Sequence, residues 1–430
     1  MSIISYICFL SFILLVISLF KKDTDVFSPG RLFILIWTLS IGLTDLKLSK
    51  FQHQWSLFGW ISLFIPLASF LLGVFAMYVL NFEKPLKKIS SIRESIKNVS
   101  INSDLLYKNI IILTFAYLIS YLVTYLIVGY ITIFTAMPDI ARKGWNLFGF
   151  GLLVQSIPSI LYLIVLFIFL TKAQTKRKFI LIFLFFIAFI TYFLLLQRYY
   201  LIFAIFISSV FLYYSSNKLR PRNVFIVFTI LGSLFFWISS IRLGRYATNF
   251  LYYLSRMKFN IKYSYLTEPY MYIVMNLENF VNSVSKLKFF TYGLSTFDFI
   301  FALTGLKHPV TEYLHLPEYP NLITTSYNTY TMFFIYYWDY GLIGLMLIPF
   351  ILGFTFSVLY YKMRREPNIH TISIYSIFSF VIAFSFFVPL ISFLHFVFNL
   401  TLIYLITKLI IIPGNRPIWF SQNKMLKDPL

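Results

Sequence analysis

Apolar runs near 2–20, 30–46, 56–80, 107–130, 149–171, 178–196, 199–215, 223–240, 339–361, 370–388 and 390–411 are separated by charged residues or by Pro and Gly. About twenty consecutive apolar residues in a helix cross the hydrocarbon core of a bilayer, so each run predicts a transmembrane helix. The pattern predicts an all-α polytopic integral membrane protein with about 11 spans. The second run is short and opens at Ser28-Pro29-Gly30-Arg31, and Pro389 divides the last apolar stretch, so the count ranges from 10 to 12. The first run has no basic leader and no small-residue cleavage site, and is read as a retained span.

One long segment interrupts the alternation. Residues 1–240 hold spans 1 to 8, 241–338 form a large extracytoplasmic loop, 339–411 hold spans 9 to 11, and 412–430 form a cytoplasmic tail. The loop is too aromatic to be disordered and is expected to fold. Within it Thr267-Glu268-Pro269 marks a helix start, because Pro is tolerated in the first turn. Tyr270, Ile273, Val274, Leu277, Phe280, Val281 and Val284 follow at three- and four-residue spacing. The expectation is an amphipathic helix lying along the membrane surface.

Composition agrees. Of 430 residues 59% are hydrophobic, 21% aromatic and only 12% charged, which excludes a water-soluble fold of this size. The single Cys8 excludes disulfides, Cys-ligated zinc and a Cys/His nucleophile pair. The formal charge of +21 suggests nucleic acid in a soluble protein, but its distribution points elsewhere. With the N-terminus outside, 23 of the 36 Lys and Arg fall on one side of the membrane and five in the opposite short loops, the remaining eight lying in the long segment. Cytoplasmic loops collect cations, so most of the excess is topology and no nucleic-acid partner is expected.

Few residues on the outer side carry chemistry. Arg198, in Gln197-Arg198 between two apolar runs, must snorkel, pair or face a polar cavity. Arg242 and Arg245 lie three apart after the eighth run, beside Tyr246, and Arg142 and Arg256 are the other outer arginines. Forked guanidiniums suit diphosphate oxygens, and interfacial arginines also meet ordinary lipid phosphates; both readings stand. The outer acids are Asp45, Asp139, Glu268, Glu278, Asp298, Glu312, Glu318 and Asp339. Asp339, within Tyr336-Tyr337-Trp338-Asp339-Tyr340-Gly341, leads as a general base and equally suits a helix cap, with Glu268 and His308 behind it. His308 and His315 lack ligand spacing, so no metal is expected, and His395 reads as a hydrogen-bonded packing residue. Tyr and Trp in the loop suit both sugar stacking and an interfacial belt.

From Thr329-Tyr330-Thr331 through Tyr337-Trp338-Asp339-Tyr340-Gly341-Leu342-Ile343-Gly344 to Gly353 the chain resembles the Wzy-type O-antigen and capsular repeat-unit polymerases. Ser28-Pro29, Gln197-Arg198 and the long external loop are similar too. The resemblance implies a glycosyltransferase in a bacterial inner membrane, its site on the periplasmic face, with a GT-C-like helical bundle as one arrangement of the spans. The growing chain would leave its undecaprenyl diphosphate and join a sugar hydroxyl of a new lipid-linked repeat unit, without cofactor. Arg198, Arg242, Arg245 and Asp339 would act catalytically. Arg142, Arg256, Glu268, His308, Tyr246, Tyr330, Tyr337 and Trp338 would bind substrate. Membrane lipids, a flippase and a chain-length regulator are the other partners implied. Two alternatives share the pathway: a lipid-linked oligosaccharide flippase, which would more often line a central cavity with charge, and an O-antigen ligase, which differs in its acceptor.

Overall fold

The computed structural model describes residues 2–412 except 22–23, 98, 172–173, 218, 220–222, 224–231, 234–236, 238–240 and 242–246, and of residue 139 only the backbone. The described residues are helical, with no strand among them. The long helices are α1 (Ile3–Leu19), α2 (Pro29–Asp45), α3 (Leu57–Val79), α4 (Ile89–Lys97), α5 (Ser103–Val128), α6 (Ile157–Leu170), α7 (Thr175–Phe193), α8 (Arg198–Ser215), α9 (Thr267–Lys286), α10 (Phe334–Arg365), α11 (Ile369–Ala383) and α12 (Leu394–Leu409). Five helical stretches are long and apolar enough to cross a membrane: Leu57–Val79, Ser103–Phe134, Phe150–Leu170, Arg198–Ser215 and Phe334–Arg365. α1, α11 and α12 are shorter and also apolar.

The helices are apolar outside and carry small polar residues inside. Leu72 and Phe75 on α3 and Ile112, Phe115 and Ile119 on α5 are exposed, whereas Ser62, Thr114, Ser120 and Thr124 are buried. Buried hydroxyls return to their own helix: Thr114 donates to the Ile110 carbonyl at 2.8 Å, and Ser373 to Ile369 at 2.7 Å. Large apolar groups facing out and small polar groups facing in are what a lipid surround selects. This is a helical membrane protein.

The closest helix pair is α3 with α10. A Cβ on Gly73 would lie 2.1 Å from the Phe350 carbonyl oxygen, and one on Gly353 2.1 Å from that of Phe70. The two glycines let the backbones touch. Gly341, with φ 61° and ψ −144°, breaks α10 after its second turn, in a conformation essentially confined to glycine. Aromatic stacking fills the adjoining core, as between Phe33 and Phe70 at 4.0 Å and Phe203 and Phe380 at 4.6 Å.

Polar contacts gather at two ends of the bundle. At one, Asp25 accepts from Arg364 at 2.8 Å and from the Tyr214 and Tyr360 hydroxyls at 2.9 Å, while Arg93 donates to the Tyr213 carbonyl. At the other, Lys47 pairs with Glu278, Ser49 bridges to Met257, and Arg198 meets Glu268. α9 starts at Thr267, with Pro269 in its first turn. Fourteen of its twenty residues are buried, because it is wedged between α2, α3 and α10.

Candidate functional site

Arg198 is the first residue of α8. A cation there is opposed by the helix dipole, so its charge needs a partner from elsewhere. The tight turn before it is held by its own polar groups. Tyr192 donates to Gln197 Oε1 at 2.8 Å, and Gln197 Nε2 donates to the Arg142 carbonyl at 3.2 Å. The partner is Glu268, in the first turn of α9, where a helix dipole favours a carboxylate. Arg198 Nη1 donates to Glu268 Oε1 at 2.9 Å, with the residues 7% and 5% exposed. One turn further along α9, on the same face, the Tyr272 ring lies 4.7 Å from the guanidinium. The cation therefore has a carboxylate at its edge and an aromatic face beneath it.

Other rings crowd the same end. His395 sits edge-on to Tyr199 at 5.6 Å and Tyr200 at 5.1 Å, with Phe393 at 5.3 Å. His395 Nε2 is buried without a hydrogen-bond partner, as is the Tyr199 hydroxyl, so the hydrogen-bonded packing role expected of this histidine does not describe that nitrogen. Tyr272 also packs on Tyr327 at 6.2 Å and Phe387 at 6.0 Å. The Tyr327 hydroxyl bonds Ser255 at 2.6 Å, and burial raises its pKa. Burial, then the Glu318 carboxylate, pushes Tyr319 up to about 12, against the pull of the Arg142 guanidinium.

The remaining expected residues are dispersed. Asp339 is neither a helix cap nor an available base. α10 begins at Phe334, so Asp339 lies inside the helix, fully buried, and accepts from the Thr291 and Thr296 hydroxyls and from the backbone N–H groups of Ser295 (3.1 Å) and Thr296 (2.6 Å). Both oxygens are occupied in stapling the loop to α10. Tyr330 donates to the Pro320 carbonyl at 2.8 Å and stacks on Phe334 at 4.1 Å, and Tyr337 donates to the Val284 carbonyl at 3.2 Å. These are packing roles. Trp338 is half-buried and His308 exposed. Arg256 is exposed, over the Phe51 ring. Arg242, Arg245 and Tyr246 lie outside the described residues.

Tyr272 was not among the expected residues, although its position four after Glu268 was a readable signal. The same helix carries a second buried carboxylate. Glu278 accepts from Trp55 Nε1 at 2.9 Å and Gln52 Nε2 at 3.3 Å and pairs with Lys47, whose ammonium is 4.3 Å from the Trp55 ring. Burial lowers the Lys47 pKa, with Glu278 pulling the other way. Among the described residues no group of three His, Cys, Asp or Glu side chains converges as a metal site would require. Compared with protein-family models, with curated proteins and with solved structures, the chain matches none.

Proposed function

We propose that the chain is a membrane glycosyltransferase that polymerises undecaprenyl-diphosphate-linked oligosaccharide units into O-antigen or capsular polysaccharide. In this reading eleven spans place the N-terminus, the 241–338 loop and the Arg198 end on the outer face of a bacterial inner membrane. The observation that carries it is the buried pair of Arg198 and Glu268 above Tyr272, at a helix end where a charge is otherwise disfavoured. A diphosphate gains negative charge as its glycosidic bond breaks, and a preorganised guanidinium in a dry site is worth most at that moment. Glu268 supplies the complementary function. As the phosphate draws Arg198 away, its carboxylate takes the proton of the attacking sugar hydroxyl. The new C–O bond forms on the hydroxyl oxygen while the lipid diphosphate leaves with the bonding pair. General-base assistance of this kind contributes about 10²–10⁴-fold. The aromatic residues around Tyr272 and Tyr199 offer flat faces to sugar rings.

The test is the length distribution of surface polysaccharide in cells lacking the gene and in cells carrying Arg198→Ala. Single repeat units with the ladder gone are expected. An undiminished ladder in the deletion strain overturns the proposal, and loss of all glycan, single units included, assigns the chain to flipping or ligation instead.

A further inference from the structure

Two turns meet at the Arg198 end of the bundle, 46–50 after α2 and 255–258 before α9. Lys50 N–H donates to the Arg256 carbonyl at 3.0 Å, Lys258 N–H to that of Leu48 at 2.8 Å, and Ser49 Oγ to that of Ser255 at 2.6 Å, around the Ser49–Met257 bridge. Lys47, at φ 51°, opens the first turn, and Arg256, at φ 49°, lies in the second. Left-handed backbone is uncommon outside glycine and, where it occurs, favours Asn, Asp and His, so long basic side chains are not there to suit the turn. Strained positions of this type concentrate where a ligand is held.

The ladder also gathers charge. Lys50, Arg256 and Lys258 are exposed, while Lys47 turns inward to Glu278 and offers its carbonyl to Lys258 Nζ at 2.8 Å. The acids facing the cluster are Glu278, already paired, and Asp45, which accepts from the Ser2 and Ser5 hydroxyls. The exposed cations are therefore not neutralised by the acids beside them. Such a concentration runs against the scarcity of Lys and Arg in this end's short loops. Beside it stand Trp55 and Trp60, with ring centroids 4.6 Å apart, the residue type that settles at headgroup depth.

We infer that these two turns form a binding site for a net-anionic lipid phosphate headgroup, held by Lys50, Arg256 and Lys258 at the membrane surface. The Lys47–Glu278 pair and the ladder fix the backbone that presents the three cations. The site is separate from Arg198–Glu268: Glu268 and Glu278 are ten residues, or about 15 Å, apart along α9. It does not depend on the polymerase reading, because the recognition is of phosphate and not of sugar.

The full chain in detergent, titrated with phosphatidylglycerol, undecaprenyl diphosphate or phosphatidylcholine and read by native mass spectrometry, tests this. Wild type should retain phosphatidylglycerol or undecaprenyl diphosphate, both net anionic, more tightly than zwitterionic phosphatidylcholine. The triple variant Lys50→Ala/Arg256→Ala/Lys258→Ala, all at exposed positions, should lose about tenfold or more of that preference. Retention of both anionic lipids identifies a bilayer headgroup site, and retention of undecaprenyl diphosphate alone a site for a lipid-linked substrate; either supports the inference. A triple variant that folds and binds as wild type does, or a wild type with no preference over phosphatidylcholine, overturns it. The triple variant keeps Arg198 and Glu268 in place, so its lipid retention and the polysaccharide ladder of Arg198→Ala are read separately.

Discussion

Arg198 and Glu268 are 70 residues apart in sequence and 2.9 Å apart in the fold. Breaking a buried pair by removing one partner costs about 3–5 kcal/mol. Arg198→Ala or Glu268→Ala should therefore lower the melting temperature in detergent substantially. The double variant Arg198→Met/Glu268→Leu should recover most of that loss, since well-packed apolar replacements of buried pairs are often neutral. Glycan polymerisation should stay absent in the double variant. A stable double variant that still builds a ladder would remove both residues from the chemistry.

Asp339 predicts the opposite dissociation. Asp339→Ala strips four donors of their acceptor, each buried group costing about 1–3 kcal/mol if no water replaces it. Hydrogen exchange should rise across 291–296, where the carboxylate holds the loop, and Asp339→Asn should be intermediate because one acceptor oxygen survives. Unchanged protection in the Ala variant would refute the staple.

The α3–α10 contact has no room for a side chain at Gly73 or Gly353. Gly353→Leu should abolish a monodisperse peak in size-exclusion chromatography. Gly353→Ala should already reduce it, because the obstacle is the Phe70 backbone and not a rotatable side chain. A normal profile for Gly353→Leu would mean the helices do not approach this closely.

At Gly341 the cost is conformational. Gly341→Ala forces a φ of 61° with ψ −144° on a residue with a Cβ, at about 1–3 kcal/mol, and brings that Cβ to 3.2 Å from the Phe290 ring. A drop in thermal stability with a straightened start of α10 is expected. Stability equal to wild type would place the kink elsewhere.

At the other end, Asp25→Asn removes the charge opposite Arg364 and leaves one acceptor oxygen for Arg364 and the Tyr214 and Tyr360 hydroxyls to share. Cross-linking between cysteines placed near 25 and 364 in a Cys8→Ser background should weaken, and Asp25→Glu should restore part of it. Equal cross-linking in the Asn variant would show that packing alone holds this end.

Apolar periodicity made the helices legible, and Pro269 after Thr267 made the start of α9 legible, because both are local signals. Arg198 was legible as a problem: a charge between two apolar runs demands a solution. That Glu268 solves it was not, since a sidedness argument sorts loops to one end without saying which residues meet there. Asp339 was misread because the aromatic cluster looked like the mouth of a helix, whereas α10 begins five residues earlier and turns the carboxylate toward Thr291–Thr296. The interior position of α9 was equally invisible, for its polar stripe is spent on buried partners such as Tyr327 and Thr329, whose carbonyls accept from Asn279 at 2.7 and 3.0 Å.

α9 is tethered through Glu268 to the head of α8 and through Glu278 to the chain leaving α2. It is therefore a crossbar with one ionic rivet at its start and another near its middle. A rod held in this way cannot tilt at one fastening without loading the other. An anion that loosened Arg198 from Glu268 would be felt, through about three turns of rigid helix, at the turn that presents Lys50 and Arg256.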